Sequence, residues 1–235
     1  AAKCRDRGLT DIIPTDDESD AAGDNLPGQV NRTTEKLTSI IHLDREVRVA
    51  AKVFDKANYD ESVTVTPAKR FDTAAYNPIP EMLEYLDTPI MRPNALVFGN
   101  ASWRAFRTNP SVVKAAHGND GDAGAASRQA VMELFEVEKL LVGQAFVNIA
   151  KPGKAGVMAR TWGKHCAMLH LGEMFDGEDE IMTWGFTAQY KDFVSGNRDL
   201  PGIGLRGGTQ VRVGETVEEV IAAKGAGFFL ENVVT

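Results

Sequence analysis

A chain of 235 residues, 43% hydrophobic and 25% charged, is long enough for one sizeable core or two small ones. Its formal charge of −7 argues against the basic face of a nucleic-acid reader, and its two cysteines, Cys4 and Cys166, are too far apart for a disulfide framework or paired-cysteine zinc spacing. No run reaches the roughly 18–20 apolar residues of a membrane span, and Ala1 to Thr10 has no apolar signal-peptide core. The expectation is a soluble, unsecreted chain in a reducing compartment. Position 1 is not Met, consistent with an upstream segment removed by processing or lying outside this sequence.

Residues 1–32 hold seven acidic side chains against four basic ones, with few large apolar residues. Ordering such a segment costs about 1–2 kcal/mol per residue in backbone entropy, so it is expected to be disordered or held by surfaces outside itself, such as a neighbouring subunit. From Thr33 the pattern changes. Leu37, Ile40, Ile41, Val47, Ala51 and Phe54 recur at helical spacing between charged residues. A helix from Thr34 to Asp55 would run about 33 Å at about 1.5 Å per residue, the length of a spine.

A short strand is expected over Ser62–Thr66, and Asn77, Pro78 and Pro80 announce a helix through Met82, Leu83 and Tyr85. Ala95–Phe98 reads as a buried strand, followed by a turn at Gly99 and a helix Ala101–Arg107 capped by Asn100. Asn109 caps the next helix, with Pro110 at its first position and Gly118 past its end. Ser127 opens a helix with Val131, Leu134 and Phe135 on one face. A strand is expected over Lys139–Ala150 with Leu141, Ala145, Val147 and Ile149 on one side, turning at Lys151-Pro152-Gly153-Lys154. Strands follow over Ala155–Leu171 and Met182–Tyr190, joined by the acidic loop Asp176–Glu180, and then the Gly-rich stretch Pro201–Gly208. Thr216 and Glu219 form a capping-box pattern for a last helix through Val220 and Ile221, closed at Lys224-Gly225 before a strand Phe228–Val234. This is an α+β chain without regular βαβ alternation and without internal repeats.

Several patterns were weighed as chemistry. His165, Cys166 and His170 are acceptable zinc ligands, but in a strand His165 and His170 point to opposite faces. Ser111 and Lys114 spell SxxK, yet no SDN or KTG partner follows, so a solvated helix face accounts for them. Gly202 to Gly208 has the glycines of a phosphate cradle, but Thr209–Val213 alternates like a strand where a helix would be needed. The loop Asp176, Glu178, Asp179, Glu180 lacks EF-hand spacing. Trp103, Trp162 and Trp184 lie in apolar segments and read as core or interface residues, and the sequons at Asn31 and Asn100 matter only in a secretory pathway. No catalytic, cofactor-binding or metal residues are assigned.

Arg92-Pro93-Asn94-Ala95-Leu96-Val97-Phe98-Gly99, Trp103-Arg104-Ala105-Phe106-Arg107 and Asn109-Pro110-Ser111-Val112-Val113 together resemble a segment of the tailed-bacteriophage major capsid protein family. Leu134-Phe135-Glu136-Val137-Glu138 running into Leu141-Val142-Gly143-Gln144-Ala145 is similar to the helix and strand that follow it there. Trp162-Gly163, Thr183-Trp184-Gly185-Phe186-Thr187 and the region from Gly207-Gly208 to Val234 also fit, so the likeness spans residues 33–235. The resemblance implies an N-terminal arm and extended loop over 1–32, a peripheral domain with spine helix over 33–92, an axial domain over 93–190 and a C-terminal return with helix and strand over 191–235. It further implies a non-enzymatic homo-oligomer, with pentamers and hexamers in an icosahedral virion shell, assembled in the host cytoplasm. That shell would enclose double-stranded DNA without sequence-specific binding or any membrane, with scaffold, portal and decoration proteins as candidate partners. The chain is short for the family, and no lysine–asparagine pair for covalent cross-linking is identified. An encapsulin-like nanocompartment shell and a small hydrolase are the rival readings.

Overall fold

The computed structural model describes residues 3–18, 28–118, 124–172 and 182–235. The chain divides into two compact units, Ala1–Glu46 with Thr187–Val220, and Val47–Phe186 with Ile221–Thr235.

The first unit is organised around β10 (Gly208–Ile221), a strand of 14 residues. Strand β1 (Arg5–Pro14) pairs with it antiparallel from Arg5↔Val217 to Pro14↔Gly208. On the opposite edge lie β9 (Val194–Leu200), antiparallel from Gly208↔Leu200 to Gly214↔Val194, and β8 (Gly185–Gln189). Val211, Val213, Glu215, Val217 and Glu219 are buried at strict alternation, which is the strand period. Val211 and Val213, with Ile13 of β1, pack against Leu37 and Ile41 of helix α1 (Gln29–Val53).

Three expectations change here. The acidic start is not without a partner: Arg5–Pro14 is a strand laid on this chain's own β10, although Ile13 is its one buried side chain among residues 5–14. Backbone pairing thus supplies what side-chain burial lacks. The spine helix begins five residues before Thr34, whose hydroxyl donates back to the Val30 carbonyl instead of capping a new helix. It ends at Val53, and Asp55 caps a separate short turn by accepting from the Ala57 N–H at 3.0 Å. Finally, residues 216–221 are strand, not helix. Thr216 donates across the ladder to Asp6 at 2.6 Å, and the capping-box letters are outweighed by β-branched residues continuing the alternation of Val211 and Val213. Only a 3₁₀ turn, Lys224–Ala226, follows.

The second unit holds a five-stranded mixed sheet ordered β2 (Glu61–Thr64), β11 (Gly227–Glu231), β7 (Cys166–Leu169), β3 (Ala95–Gly99), β4 (Lys139–Gly143). The three central strands are buried on both faces, as their unbroken apolar runs suggest. One face, carrying Leu96, Phe98, Leu140, Cys166, Met168, Phe228 and Leu230, meets helices α2 (Ile79–Asp87), α3 (Asn100–Thr108), α4 (Pro110–His117) and α5 (Arg128–Phe135) through Met82, Leu86, Phe106, Val112, Val131 and Phe135. On the other face, Val97, Ala167, Leu169 and Phe229 meet Val53, Tyr59 and Trp184. Asn109 caps α4 by accepting from the Ser111 N–H at 3.0 Å, and Ser127 caps α5 by accepting from Ala130 N–H at 3.1 Å, both as their sequence positions imply.

The expected strand Lys139–Ala150 breaks at Gln144-Ala145 into β4 and β5 (Phe146–Asn148). Strand β5 pairs antiparallel with β6 (Met158–Arg160) across the turn at Lys151–Lys154. Leu140 points into the core, and Leu141, on the opposite face, is 47% exposed because β4 is the sheet edge. The long strand expected over 155–171 is likewise two, β6 and β7. The closing strand stops at Glu231 because Asn232 takes a left-handed conformation, φ 57°.

Candidate assembly surface

The residues weighed for chemistry take structural places. Cys166 is fully buried on β7, and burial pushes its thiol far above the ordinary range. His165 sits between Phe54 and Phe229, ring centroids 5.3 and 5.5 Å away, and its Nδ1 accepts the Asn232 N–H at 3.1 Å. Burial lowers its pKa, with a weaker opposing pull from Glu231. The Nδ1 of His170 lies 3.0 Å from the Arg92 carbonyl. His165 and His170 each have a separate local partner, and among the described residues no three His, Cys, Asp or Glu side chains converge on a metal-sized site.

Ser111 is held in the first turn of α4 by the Asn109 cap, and Asn109 in turn donates to the carbonyls of Phe71 and Tyr76; Lys114 is exposed. The glycines of 202–208 connect β9 to β10. Gly204 and Gly207 have φ of 57° and 81°, and strand follows them, so they serve a turn. Trp103 and Trp184 are core residues, and Trp162 is half-buried with its ring edge-on to Phe54 at 5.3 Å. The acidic loop Asp176–Glu180 lies outside the described residues.

What the two units present instead is unpartnered surface. Strand β9 is exposed through Asp199, with Val194 at 56%, and β1 exposes Leu9 and Ile12. Among the described residues the buried charged side chains are Glu215 and Glu219. The Glu215 carboxylate, with no exposed side-chain surface, accepts both Nε and Nη2 of Arg45, a bidentate fork that raises the guanidinium pKa. In the second unit, hairpin β5–β6 exposes Phe146, Ile149, Val157 and Met158 by 45–62%. The sequence pattern places Ile149 on one side of a strand with Leu141, Ala145 and Val147, without marking that side as exposed. The available signal was electrostatic: no acidic residue occurs between Lys139 and Gly172, in a chain of net charge −7.

The mixed helix and sheet of these two units is similar to the fold of phage capsid proteins. A phage-related protein from Bordetella bronchiseptica RB50 superposes with a TM-score of 0.79 at 19% identity, covering 98% of this chain and 76% of that one. The capsid protein of cyanophage P-SCSP1u superposes at 0.57 with 10% identity, covering 97% and 72%. No family model matches the chain. The major capsid protein of Pseudomonas phage JBD67 is 38% identical over 231 residues, 97% of this chain and 74% of that protein. The chain belongs to the phage major capsid protein family, and is a capsid shell protein.

Proposed function

We propose that the chain builds the closed icosahedral head of a tailed phage from pentamers and hexamers, enclosing double-stranded DNA without reading its sequence. Its function lies in interfaces, not in catalysis. The 38% identity to a phage major capsid protein over almost the whole chain carries this reading. In it, α1 is the spine of the peripheral domain, residues 93–190 form the axial domain, and the residues before Gln29 serve as arm and extended loop. Assembly takes place in the host cytoplasm, with scaffold, portal and decoration proteins as the partners such a head requires. The net charge of −7 supports an inner wall to which packaged DNA does not adhere.

The test is particle mass by light scattering, with negative-stain images of the same fraction. Megadalton shells or five- and six-membered rings are expected. A protein that stays a 25.5 kDa monomer both alone and with its phage's own scaffold would overturn the reading.

A further inference from the structure

Hairpin β5–β6 is a structural anomaly in its own unit. Among the described residues it is a two-stranded sheet hydrogen-bonded to no third strand, and such ribbons are marginal in water unless something covers an apolar face. Yet it is well ordered internally. The Asn148 carboxamide oxygen accepts the N–H groups of both Ala150 and Val157 at 3.0 Å, and Ile149 N–H donates to Val157 at 2.9 Å. At the base, the Arg160 guanidinium lies 4.4 Å over the Phe146 ring and reaches the Gln144 carbonyl. This preformed ribbon holds Ile149, Val157 and Met158 out to solvent, with Lys151, Lys154 and Arg160 as its only charges.

At the other end of β4 is a shallow groove lined by Gln129, Met132, Glu133, Glu136, Val137 and Glu138. Its floor is apolar, Met132 and Val137, and its rim carries three exposed carboxylates. One of them, Glu136, is paired with Arg92 at 3.1 Å. Among the described residues the other two contact neutral amides, Glu133 with Gln129 at 3.0 Å and Glu138 with Asn94 at 3.3 Å. The hairpin is thus apolar with a basic rim, and the groove apolar with an acidic one. They leave opposite ends of a five-residue strand, about 15 Å apart at about 3.3 Å per residue.

We propose that hairpin β5–β6 of one copy of this chain docks into the groove between α5 and β4 of the next copy, a head-to-tail contact. Complementary patches at different places on one molecule make a heterologous interface, the kind that closes into rings. This deepens the shell reading and rests on it. The rim charges supply register and encounter rate more than affinity, since exposed charges act mainly through steering, while the apolar side chains supply the affinity.

The experiment uses the full chain. Lys151→Glu with Lys154→Glu gives an acidic hairpin, and Glu133→Lys with Glu138→Lys a basic groove. Each pair alone is expected to slow shell formation, followed by light scattering at low salt, by about tenfold or more. All four together are expected to restore it. Ile149→Ser with Val157→Ser removes the apolar residues of one ribbon face without touching charge, and is expected to block assembly while leaving the melting temperature within a degree or two, since both side chains are more than half exposed. Wild-type shells accompanied by unimpaired single-surface variants, or a four-site chain no better than its two-site parents, would overturn the contact while leaving the capsid reading intact. Wild type that forms no shells even with its scaffold would overturn both.

Discussion

Gly99 and Gly143 stand opposite each other in the parallel β3–β4 pair, and both are backed by the turn at Trp162-Gly163. The two close approaches differ in kind, and so must the costs of filling them. A Cβ on Gly143 would collide with Cγ and Cδ1 of the Trp162 ring and lie 2.5 Å from Cδ2, where carbon contacts normally begin near about 3.5 Å. The ring is half-buried and can swing outward, at the cost of its edge-on contact with Phe54 and part of its burial. That amounts to about 2–3 kcal/mol for Gly143→Ala, within the range for overpacking. A Cβ on Gly99 meets the Gly163 carbonyl oxygen, which is backbone and leads directly into β7. Gly99→Ala must displace that turn and also strains the Gly99 N–H bond to the His165 carbonyl at 3.3 Å, so a cost above about 4 kcal/mol is expected. At about 2–4 °C per kcal/mol for a unit of this size, Gly143→Ala should melt roughly 4–12 °C lower by near-ultraviolet circular dichroism. The decisive comparison is a double-mutant cycle with Trp162→Ala. Without the ring, Gly143→Ala should become nearly neutral, while Gly99→Ala keeps its full cost. If Gly143→Ala is as damaging without Trp162 as with it, the collision is not the cause and the reasoning fails.

Three further perturbations probe the two units. Deleting residues 1–14 removes β1 and uncovers one edge of β10, but touches neither apolar cluster of the second unit; that unit should keep its cooperative melt while shells no longer form, and intact shells from the truncated chain would refute this. Arg45→Met withdraws the guanidinium from the fully buried Glu215 carboxylate and should cost about 3–5 kcal/mol in urea denaturation, most of it recovered by adding Glu215→Leu, because apolar replacement of a whole buried pair is near neutral. His165 has a folded-state pKa below its unfolded value of about 6.5, so the unfolded chain takes up the proton first as pH falls. Its contribution is therefore fully present above about pH 6.5 and declines below it, as protonation of Nδ1 breaks the bond from Asn232. Urea midpoints at pH 7 and pH 5 should differ less in His165→Asn than in wild type.

Legibility from sequence followed the range of the interactions. Caps are partly written in neighbouring letters: Asn109 and Ser127 do what their positions imply, whereas Asn100, expected as a cap, is the first residue of α3, and Gly99 before it offers no side chain. Buried strands such as Ala95–Gly99 are visible as unbroken apolar runs, and the strings around Arg92–Gly99 and Asn109–Val113 pointed to the capsid family that the 38% identical relative establishes. Residues 216–221 failed for the opposite reason. Thr216 and Glu219 satisfy a local helical pattern, but Thr216 and Val217 belong to a ladder with Asp6 and Arg5, two hundred residues away, a non-local interaction that no window contains. The same ladder explains why the acidic start looked coreless: it is held by backbone hydrogen bonds, which leave no trace in side-chain pattern.

The hairpin exposes a more general limit, and one that bears on shell-building chains in particular. Alternation of Leu141, Ala145, Val147 and Ile149 says that one side of a strand is apolar, and in a monomeric enzyme that side would nearly always face the chain's own core. Here β4 sits at a sheet edge and β5 leaves the sheet altogether, so Leu141 and Ile149 are 47% and 62% exposed. Hydrophobic periodicity records that a face is to be covered, not whose atoms cover it. Charge carries the missing information. Lys139, Lys151, Lys154, Arg160 and Lys164 fall in a stretch with no acidic residue, immediately after Glu133, Glu136 and Glu138. Such segregation has no use within one exposed ribbon, where mixed signs would serve solubility better. It has a use when the basic segment of one copy must find the acidic segment of the next and reject its own kind, because like-charged rims then disfavour every register except head-to-tail.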